Sequence, residues 1–511
     1  MRVLRSGWLW IALLGTVYAM EDTVEVVDTV RTVYTVDDML EMEDAVKHSI
    51  RCNMFQTYNE DPGNVDNIRD MLTQGIFYKR VRFNSFGHRW KNEVAVNDVK
   101  VRENHAIAAI GGSLIYRSGC LNGFSVGGGL YVSSAAGSLD ESEAYLYKAG
   151  KGVFNRYDYG RNGSANLYSL AQAYLEYRHE KINIKVGRQV FESFLTKSND
   201  TKMIPNTFEG LTINSSSMYD TSFNMAYLIS QKLRDHSDFH HVLAAGDLDN
   251  DPYNLYSEND DAAMHFGLKK SELEARGIDD KLIVAEAKNR SIDNLTINMN
   301  YTAVPELVSS AMIQVDYRMD VGGWSVIPAL RYMQQFDDGA GEIGGANLKT
   351  LTQGYSDPDS LDAALYAARV DVVQDAFKLR FAYTQISDEG DIVAPWRGFP
   401  TAGFTRAMSQ YNWCANTESY MMQLDYKFDN VSDFKIISRF AIQDFDDEKI
   451  GVQADSNVFT IDFLKGLGET SYYLKTRFAH VVGDDDTITS NGFTKLDPSY
   501  NEVRIEINYL F

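Results

Sequence analysis

The connections in this chain constrain its fold more tightly than the segments they join. Very short ones, at Arg178–Ile182, Ser291–Asn294, Asp320–Gly323, Asp429–Asp433 and Lys465–Glu469, take turns with long polar ones. The long ones cover roughly Ala135–Ala165, Gln231–Asp280, Gln335–Ser360, Ile386–Glu418 and Val482–Ser499. Between them run segments in which apolar and polar side chains alternate, clearest at Ala171–Arg178, Leu295–Thr302, Ile313–Arg318, Phe377–Thr384 and Met422–Phe428. Successive side chains of a strand point to opposite faces, so each segment has one greasy and one polar face. Tight turns on one rim and large loops on the other describe an up-and-down barrel crossing a membrane. A sandwich with Greek-key connections has no reason to sort its loop lengths by parity.

The alternation runs to the last residue. In "NEVRIEINYLF", Val503, Ile505, Ile507, Tyr509 and Phe511 interleave with Glu502, Arg504, Glu506 and Asn508. A barrel leaves no open edge because its last strand pairs with its first. The first strand is expected around Gly75–Phe86, "GIFYKRVRFNSF". With weaker segments included, about eighteen strands are expected, an even number as in single-chain bacterial barrels. The expected fold is all-β, a transmembrane up-and-down antiparallel β-barrel with short periplasmic turns and long extracellular loops.

At the other end, Arg2 and Arg5 precede an apolar run from Trp8 to Val17, followed by the cleavage-like Val17-Tyr18-Ala19. That run falls short of the roughly 20 residues a spanning helix needs. Residues 1–19 therefore read as a secretory signal, 20–73 as a periplasmic N-terminal extension and 74–511 as the barrel. Within the extension, Val36–Ile50 has a weak helical pattern; the segment either stays in the periplasm or tucks into the barrel mouth. No later run is long and apolar enough for a transmembrane helix, so a membrane form has to cross with strands. An aromatic content of 12% suits strands and interfacial belts, as it also suits a large soluble all-β protein. A net charge of −22 argues against nucleic acid as a partner. Cys52, Cys120 and Cys414 are too few for a disulfide framework and match no zinc spacing, although one bridge is open to them.

Three stretches carry a family resemblance: "GRQVFESFLTKSNDTKMIPNTFEG" at Gly187–Gly210, "APWRGFPTAGFTRAMSQYNW" at Ala394–Trp413 and the closing "EVRIEINYLF". They resemble the OprD-type outer-membrane porins, in particular the Opr family porins of the epsilon group of proteobacteria. The resemblance covers about Gly75 to Phe511. It implies an eighteen-stranded channel in the outer membrane of a Gram-negative bacterium with a basic ladder along one side of the pore. A final aromatic on an amphipathic strand is also similar to the signal read by barrel-assembly machinery.

If the apolar parity faces lipid, the polar parity faces the lumen. On the later strands it is rich in cations: Arg318, Arg331, Arg369, Lys378, Arg380, Lys427, Arg439, Lys475, Arg477 and Arg504. Asp316, Asp371, Asp425, Asp462 and Glu506 share that face. Two readings fit: a basic wall that selects anions, or solvated residues paired with acids across the strands. The connection after Lys181–Gln189 is the third on the long rim and is expected to fold inward as a constriction. There Phe191, Phe194, Leu195, Met203 and Ile204 would pack on the wall, while Ser198, Asn199, Asp200, Lys202 and Asn206 face water and Glu209 completes the loop.

Other local patterns weigh less. Asp247, Asp249, Asp251 and Glu258 sit at calcium-loop offsets, but Pro252 stands where that loop needs glycine. His240-His241 is an adjacent pair that a strand would point to opposite faces, and "GLKKSELEARGIDD" suits a short helix. No metal site, cofactor or enzymatic triad is expected. The function expected is passive diffusion of small hydrophilic solutes, favouring carboxylate-bearing or anionic ones. The alternatives are a surface adhesin or receptor on a plugged barrel and a rim hydrolase. Expected partners are outer-membrane lipid and lipopolysaccharide, the solutes, the assembly machinery and, by analogy, two further copies in a homotrimer.

Overall fold

A computed structural model describes residues 48–50, 56–96, 98–247, 264–408, 411–428, 431, 433–466, 471–485 and 487–511. Among these residues eighteen strands close into one antiparallel barrel. They are β1 (Ile76–Trp90), β2 (His105–Arg117), β3 (Phe124–Gly137), β4 (Asn166–His179), β5 (Ile182–Gln189) and β6 (Thr207–Met218). There follow β7 (Thr221–Lys232), β8 (Leu282–Asn289), β9 (Leu295–Val304), β10 (Val308–Tyr317), β11 (Trp324–Asp337) and β12 (Ala363–Gln374). The last six are β13 (Phe377–Ile386), β14 (Glu418–Phe428), β15 (Phe434–Asp444), β16 (Ser456–Lys465), β17 (Tyr472–Gly483) and β18 (Tyr500–Leu510). Met319–Val321 continues β10 past Arg318, since Met319 opposite Val326 keeps the register of Asp316 opposite Ala329.

Each strand pairs with its chain neighbour, and β18 closes on β1 from Tyr500 opposite Trp90 to Leu510 opposite Arg80. Backbone bonds between Phe511 and Lys79, 3.1 Å in both directions, extend the seam to the final residue. Polarity is inverted relative to a water-soluble sheet. In β18 Glu506 is 1% exposed while Ile507 is 44% exposed, and this alternation holds along the whole strand. An outward apolar face with an inward polar one is stable only where hydrocarbon lies outside.

The rims are sorted as expected. Connections 118–123, 180–181, 219–220, 290–294, 322–323, 375–376, 429–433 and 466–471 form the short rim. Those at 91–104, 138–165, 190–206, 233–281, 338–362, 387–417, 445–455 and 484–499 form the long rim. The turn 305–307 between β9 and β10 is an exception, three residues on the long rim. Gly322 and Gly323 both have positive φ, 59° and 88°, the hairpin geometry whose twist matches the flanking strands.

Outward aromatic pairs mark two belts. On the short-rim side lie Phe77 and Tyr116 at 4.9 Å, Phe124 and Tyr177 at 4.7 Å, and Tyr472 and Tyr509 at 4.8 Å. Towards the long rim lie Tyr332 and Tyr366 at 5.3 Å, and Tyr383 and Tyr420 at 5.0 Å. Amphipathic rings collect at the two membrane–water interfaces, so the pairs bracket the hydrocarbon. No helix among the described residues is long and apolar enough to cross a membrane.

Candidate functional site: the barrel lumen

The inward row of β1 carries Tyr78, Arg80, Arg82, Asn84, Phe86 and His88, all nearly inaccessible. The 190–206 connection turns inward and docks on this row. Asp200 forms an ion pair with Arg80 and another with Arg82 at 2.5 Å. Arg82 also donates to the carbonyls of Asp200 at 3.1 Å and Met203 at 3.2 Å, and Asn84 donates to the Lys202 carbonyl at 2.6 Å. The Lys202 ammonium lies 4.2 Å from the Phe86 ring. Across the lumen, Glu286 of β8 accepts from the Phe194 backbone N–H at 2.7 Å. Phe191 and Leu195 join the larger apolar cluster, with Phe194 packed against it, while Met203 and Ile204 join a second one around Tyr131 and Ile107.

Several residues stand elsewhere than the sequence led us to expect. Ser198, Asp200, Lys202 and Asn206 are buried rather than facing water, and Asn199 is half-buried. The reason is the arginine row: a carboxylate and backbone carbonyls that satisfy two inward guanidiniums cannot also face solvent. Asn199 gives its carbonyl to Arg234 at 3.1 Å. Glu209 belongs to β6, not to the loop, and lies 3.7 Å from Arg188 of β5.

A second inward loop was missed. The 387–417 connection meets the first by backbone bonds from Lys197 N–H to the Trp396 carbonyl and from Gly398 N–H to the Leu195 carbonyl, both 2.9 Å. Its carbonyls then reach the basic wall. Arg331 donates to Pro400 at 2.6 Å and Ala402 at 2.9 Å, while Arg369 and Arg380 donate to Gly403 at 2.8 Å and 2.9 Å. The Arg331 guanidinium lies 4.9 Å from the Phe194 ring and 4.5 Å from the Phe404 ring, one from each loop. The signal was present, since Trp396, Phe404 and Trp413 are large apolar residues in a long connection, and all three are buried.

The wall cations fall into groups. On β10 to β13, Arg369, Lys378 and Arg380 pair with Asp316 and Asp371, and Arg331 bonds Gln314 at 2.9 Å. Arg369 meets Asp316 at 2.6 Å, Arg380 meets Asp371 through two bonds at 2.6 and 2.7 Å, and Lys378 lies 3.6 Å from Asp371. On β15 to β17, Asp462 pairs with Arg477, with Arg439 at 3.3 Å and with Lys475 at 3.8 Å. Arg504 bonds Glu502 of its own strand at 2.7 Å and lies 4.8 Å from the Phe86 ring. Asp425 meets Lys435 at 3.3 Å, Glu506 meets Arg82 at 2.8 Å, and Lys427 is exposed. Arg318 stands apart at the short rim, exposed and bonded to Asp320 at 3.1 Å. Arg80 and Arg82 extend the basic lining to β1, which the sequence reading did not include.

The remaining local patterns resolve as scaffolding. Asp247 accepts from the Ser271 backbone at 3.0 Å, while Asp249, Asp251 and Glu258 lie outside the described residues. Residues 270–276 form a helix, Lys270–Arg276, ended by Gly277 at φ 73°. His240 and His241 sit in the 233–281 loop rather than in a strand; His240 bonds His236 at 2.8 Å, and burial pulls its imidazole down to about 3. Among the described residues no three His, Cys, Asp or Glu are grouped to hold a metal ion. Cys120 and Cys414 are free thiols, and Cys52 lies outside the described residues.

An eighteen-stranded barrel with inverted polarity, sorted rims and two long-rim loops folded into a charged lumen is an outer-membrane porin. The chain belongs to the OprD family of outer membrane porins, which matches residues 90–432. Its fold is similar to Pseudomonas aeruginosa OccK9 (OpdG), with a TM-score of 0.64 and 14% identity over 86% of this chain and 99% of that one. It is also similar to P. aeruginosa OpdK, solved with vanillate, at a TM-score of 0.62 and 12% identity over 85% and 98%. Acinetobacter baumannii OccAB4 aligns with a TM-score of 0.61 and 13% identity over 86% and 99%. No curated protein matches the sequence. The protein is thus a non-enzymatic channel for small solutes in a Gram-negative outer membrane.

Proposed function

We propose that this channel favours solutes carrying a carboxylate or another anionic group. One observation carries the reading: the wall cations outnumber the carboxylates they share. Arg369, Lys378 and Arg380 share Asp316 and Asp371, with Arg331 beside them bonded to Gln314 and the Pro400 carbonyl, and Arg439, Lys475 and Arg477 share Asp462. Each cluster keeps an excess of positive charge inside a protein otherwise at −22. Low-dielectric walls focus that field along the lumen. A solute carboxylate can exchange water for guanidinium donors at one cluster and pass to the next, and several weak sites let it leave again.

The two joined loops supply the narrowing in this reading, with Arg331 between their aromatic rings as the rung nearest the gap. OpdK was solved with vanillate, which is a carboxylate, and solutes of that class are the ones this wall suits. The narrower kinship with epsilon-group porins rests on the three sequence stretches alone. We also propose that lipopolysaccharide meets the long rim, that Tyr500–Phe511 is read by assembly machinery and that the protein forms homotrimers. Reversal potentials in a salt gradient across a planar bilayer test the selectivity. Anion preference is expected, and cation preference would refute it.

A further inference from the structure

Resting on the anionic-solute reading above, we infer that the solutes this channel suits are hydroxylated carboxylates. The lumen wall from β5 to β10 is a hydrogen-bonding face that meets hydroxyl groups, while the basic wall beside it holds the carboxylate.

Two cross-strand rows form this face. In the upper row, nearer the long rim, the register sets Asn183 opposite Asn214, Asn214 opposite Asn224, Asn224 opposite Glu286 and Glu286 opposite Asn300. In the lower row, one step nearer the short rim, Ser222 stands opposite Lys288, Lys288 opposite Asn298, Asn298 opposite Gln314 and Gln314 opposite Arg331. Directly opposed residues share a face of the sheet. That face is the lumen, because the alternate residues Ile213, Phe223, Met225, Met299 and Ile313 are the exposed apolar ones.

The upper row carries the 190–206 loop. Asn224 donates to the Glu192 carbonyl, and Glu286 accepts from the Phe194 N–H at 2.7 Å and from Asn300 at 3.2 Å. The lower row lies on the short-rim side of those contacts, with Ser222, Lys288, Asn298 and Gln314 half-buried. Arg331, the rung nearest the gap, donates to Gln314 at 2.9 Å, so this row starts at the basic wall itself. Asn298 is two strands from Arg331, about 10 Å between backbones. An acid several carbons long with its carboxylate at Arg331 therefore lays the rest of its chain along these amides.

Hydrogen-bond chemistry selects what that chain carries. A side-chain amide offers a donor and an acceptor together, and a hydroxyl answers both. Among the described residues nothing donates to the Oδ1 atoms of Asn183, Asn224 and Asn298. A solute O–H supplies that donor, whereas an alkyl chain displaces water and leaves the amides unpaired. An ammonium also donates, but Lys288 and Arg331 in the lower row repel it. Glu286, the one acid in the two rows, already accepts from Phe194 and Asn300.

Reversal potentials across a planar bilayer test this, with potassium gluconate and potassium hexanoate set in turn against potassium chloride. The two anions match in carbon count and in charge, and only gluconate carries hydroxyls. The native channel should pass gluconate in preference to hexanoate by about threefold or more. The double variant Asn214→Leu, Asn298→Leu keeps the side-chain size and removes two amides, and its ratio should fall to about one. Hexanoate level with or ahead of gluconate in the native channel would overturn the hydroxyl face and leave anion selectivity standing, and so would a gluconate preference that the double variant keeps. Should the double variant fail to insert, the native ratio decides alone. Cation preference of the native channel in a potassium chloride gradient would remove the anionic-solute reading and this inference with it.

Discussion

Arg82 and Asp200, 118 positions apart in the chain, meet at 2.5 Å inside the barrel, and the same guanidinium reaches Glu506 of the closing strand at 2.8 Å. One side chain therefore ties the inward loop to the seam where the barrel closes. Loop position and closure are coupled through a buried cation.

Asp200→Asn should release the 190–206 loop and leave Arg80 and Arg82 facing the lumen. Breaking one partner of a buried ion pair costs about 3 kcal/mol or more. The temperature at which the folded barrel loses its fast migration in detergent gels should fall. Single-channel conductance should rise and selectivity shift towards anions.

Arg380→Ala and Arg477→Ala should each lower the anion-to-cation permeability ratio by about threefold, because each removes a charge from a cluster with positive excess. Asp462→Asn should move the ratio the other way. Asp371 keeps Lys378 at 3.6 Å, and Asp462 keeps Arg439 at 3.3 Å and Lys475 at 3.8 Å, so heat-modifiable migration should fall less for either arginine variant than for Asp200→Asn.

Gly403 presents its carbonyl to Arg369 and Arg380 at φ +79°, and an added Cβ would lie 3.3 Å from an Arg369 nitrogen. Gly403→Ala should therefore destabilise the loop by about 1–2 kcal/mol. Open-channel noise should increase while the strands keep their hydrogen-exchange protection.

Asp455, in the 445–455 loop, has its carboxyl pushed up to about 6 by burial first and then by Asp444, Asp447 and Asp484. The folded loop thus binds a proton more tightly than the unfolded chain does. Its contribution is complete below the unfolded value near 4 and is lost as pH rises through about 6. Exchange protection in residues 445–455 should fall between pH 4 and pH 7, and Asp455→Asn should flatten that profile.

The wall was legible in the sequence because lipid and lumen impose opposite preferences on alternate residues, and the rims because loop lengths are sorted by side. The β1 arginines escaped notice for a local reason. Lys79 points outward at the rim, 5.4 Å from the Phe511 ring, while Tyr78 and Phe86 point inward, so polar and apolar residues exchange faces along that strand. The inward turn of 387–417 depends on backbone carbonyls meeting guanidiniums more than thirty positions away in the case of Gly403 and Arg369, and carbonyls leave no mark on composition. Ser198 and Asn206 are polar by type yet bonded within the protein, Ser198 to the Glu192 carboxylate and Asn206 to the Lys197 carbonyl at 3.3 Å.

An excess of wall cations over the carboxylates they share should set which solutes pass. The most direct measurement is the reversal potential of the purified protein in a tenfold potassium chloride gradient, read across a planar bilayer. A potential displaced towards the chloride equilibrium value is expected. Displacement towards the potassium value would contradict it.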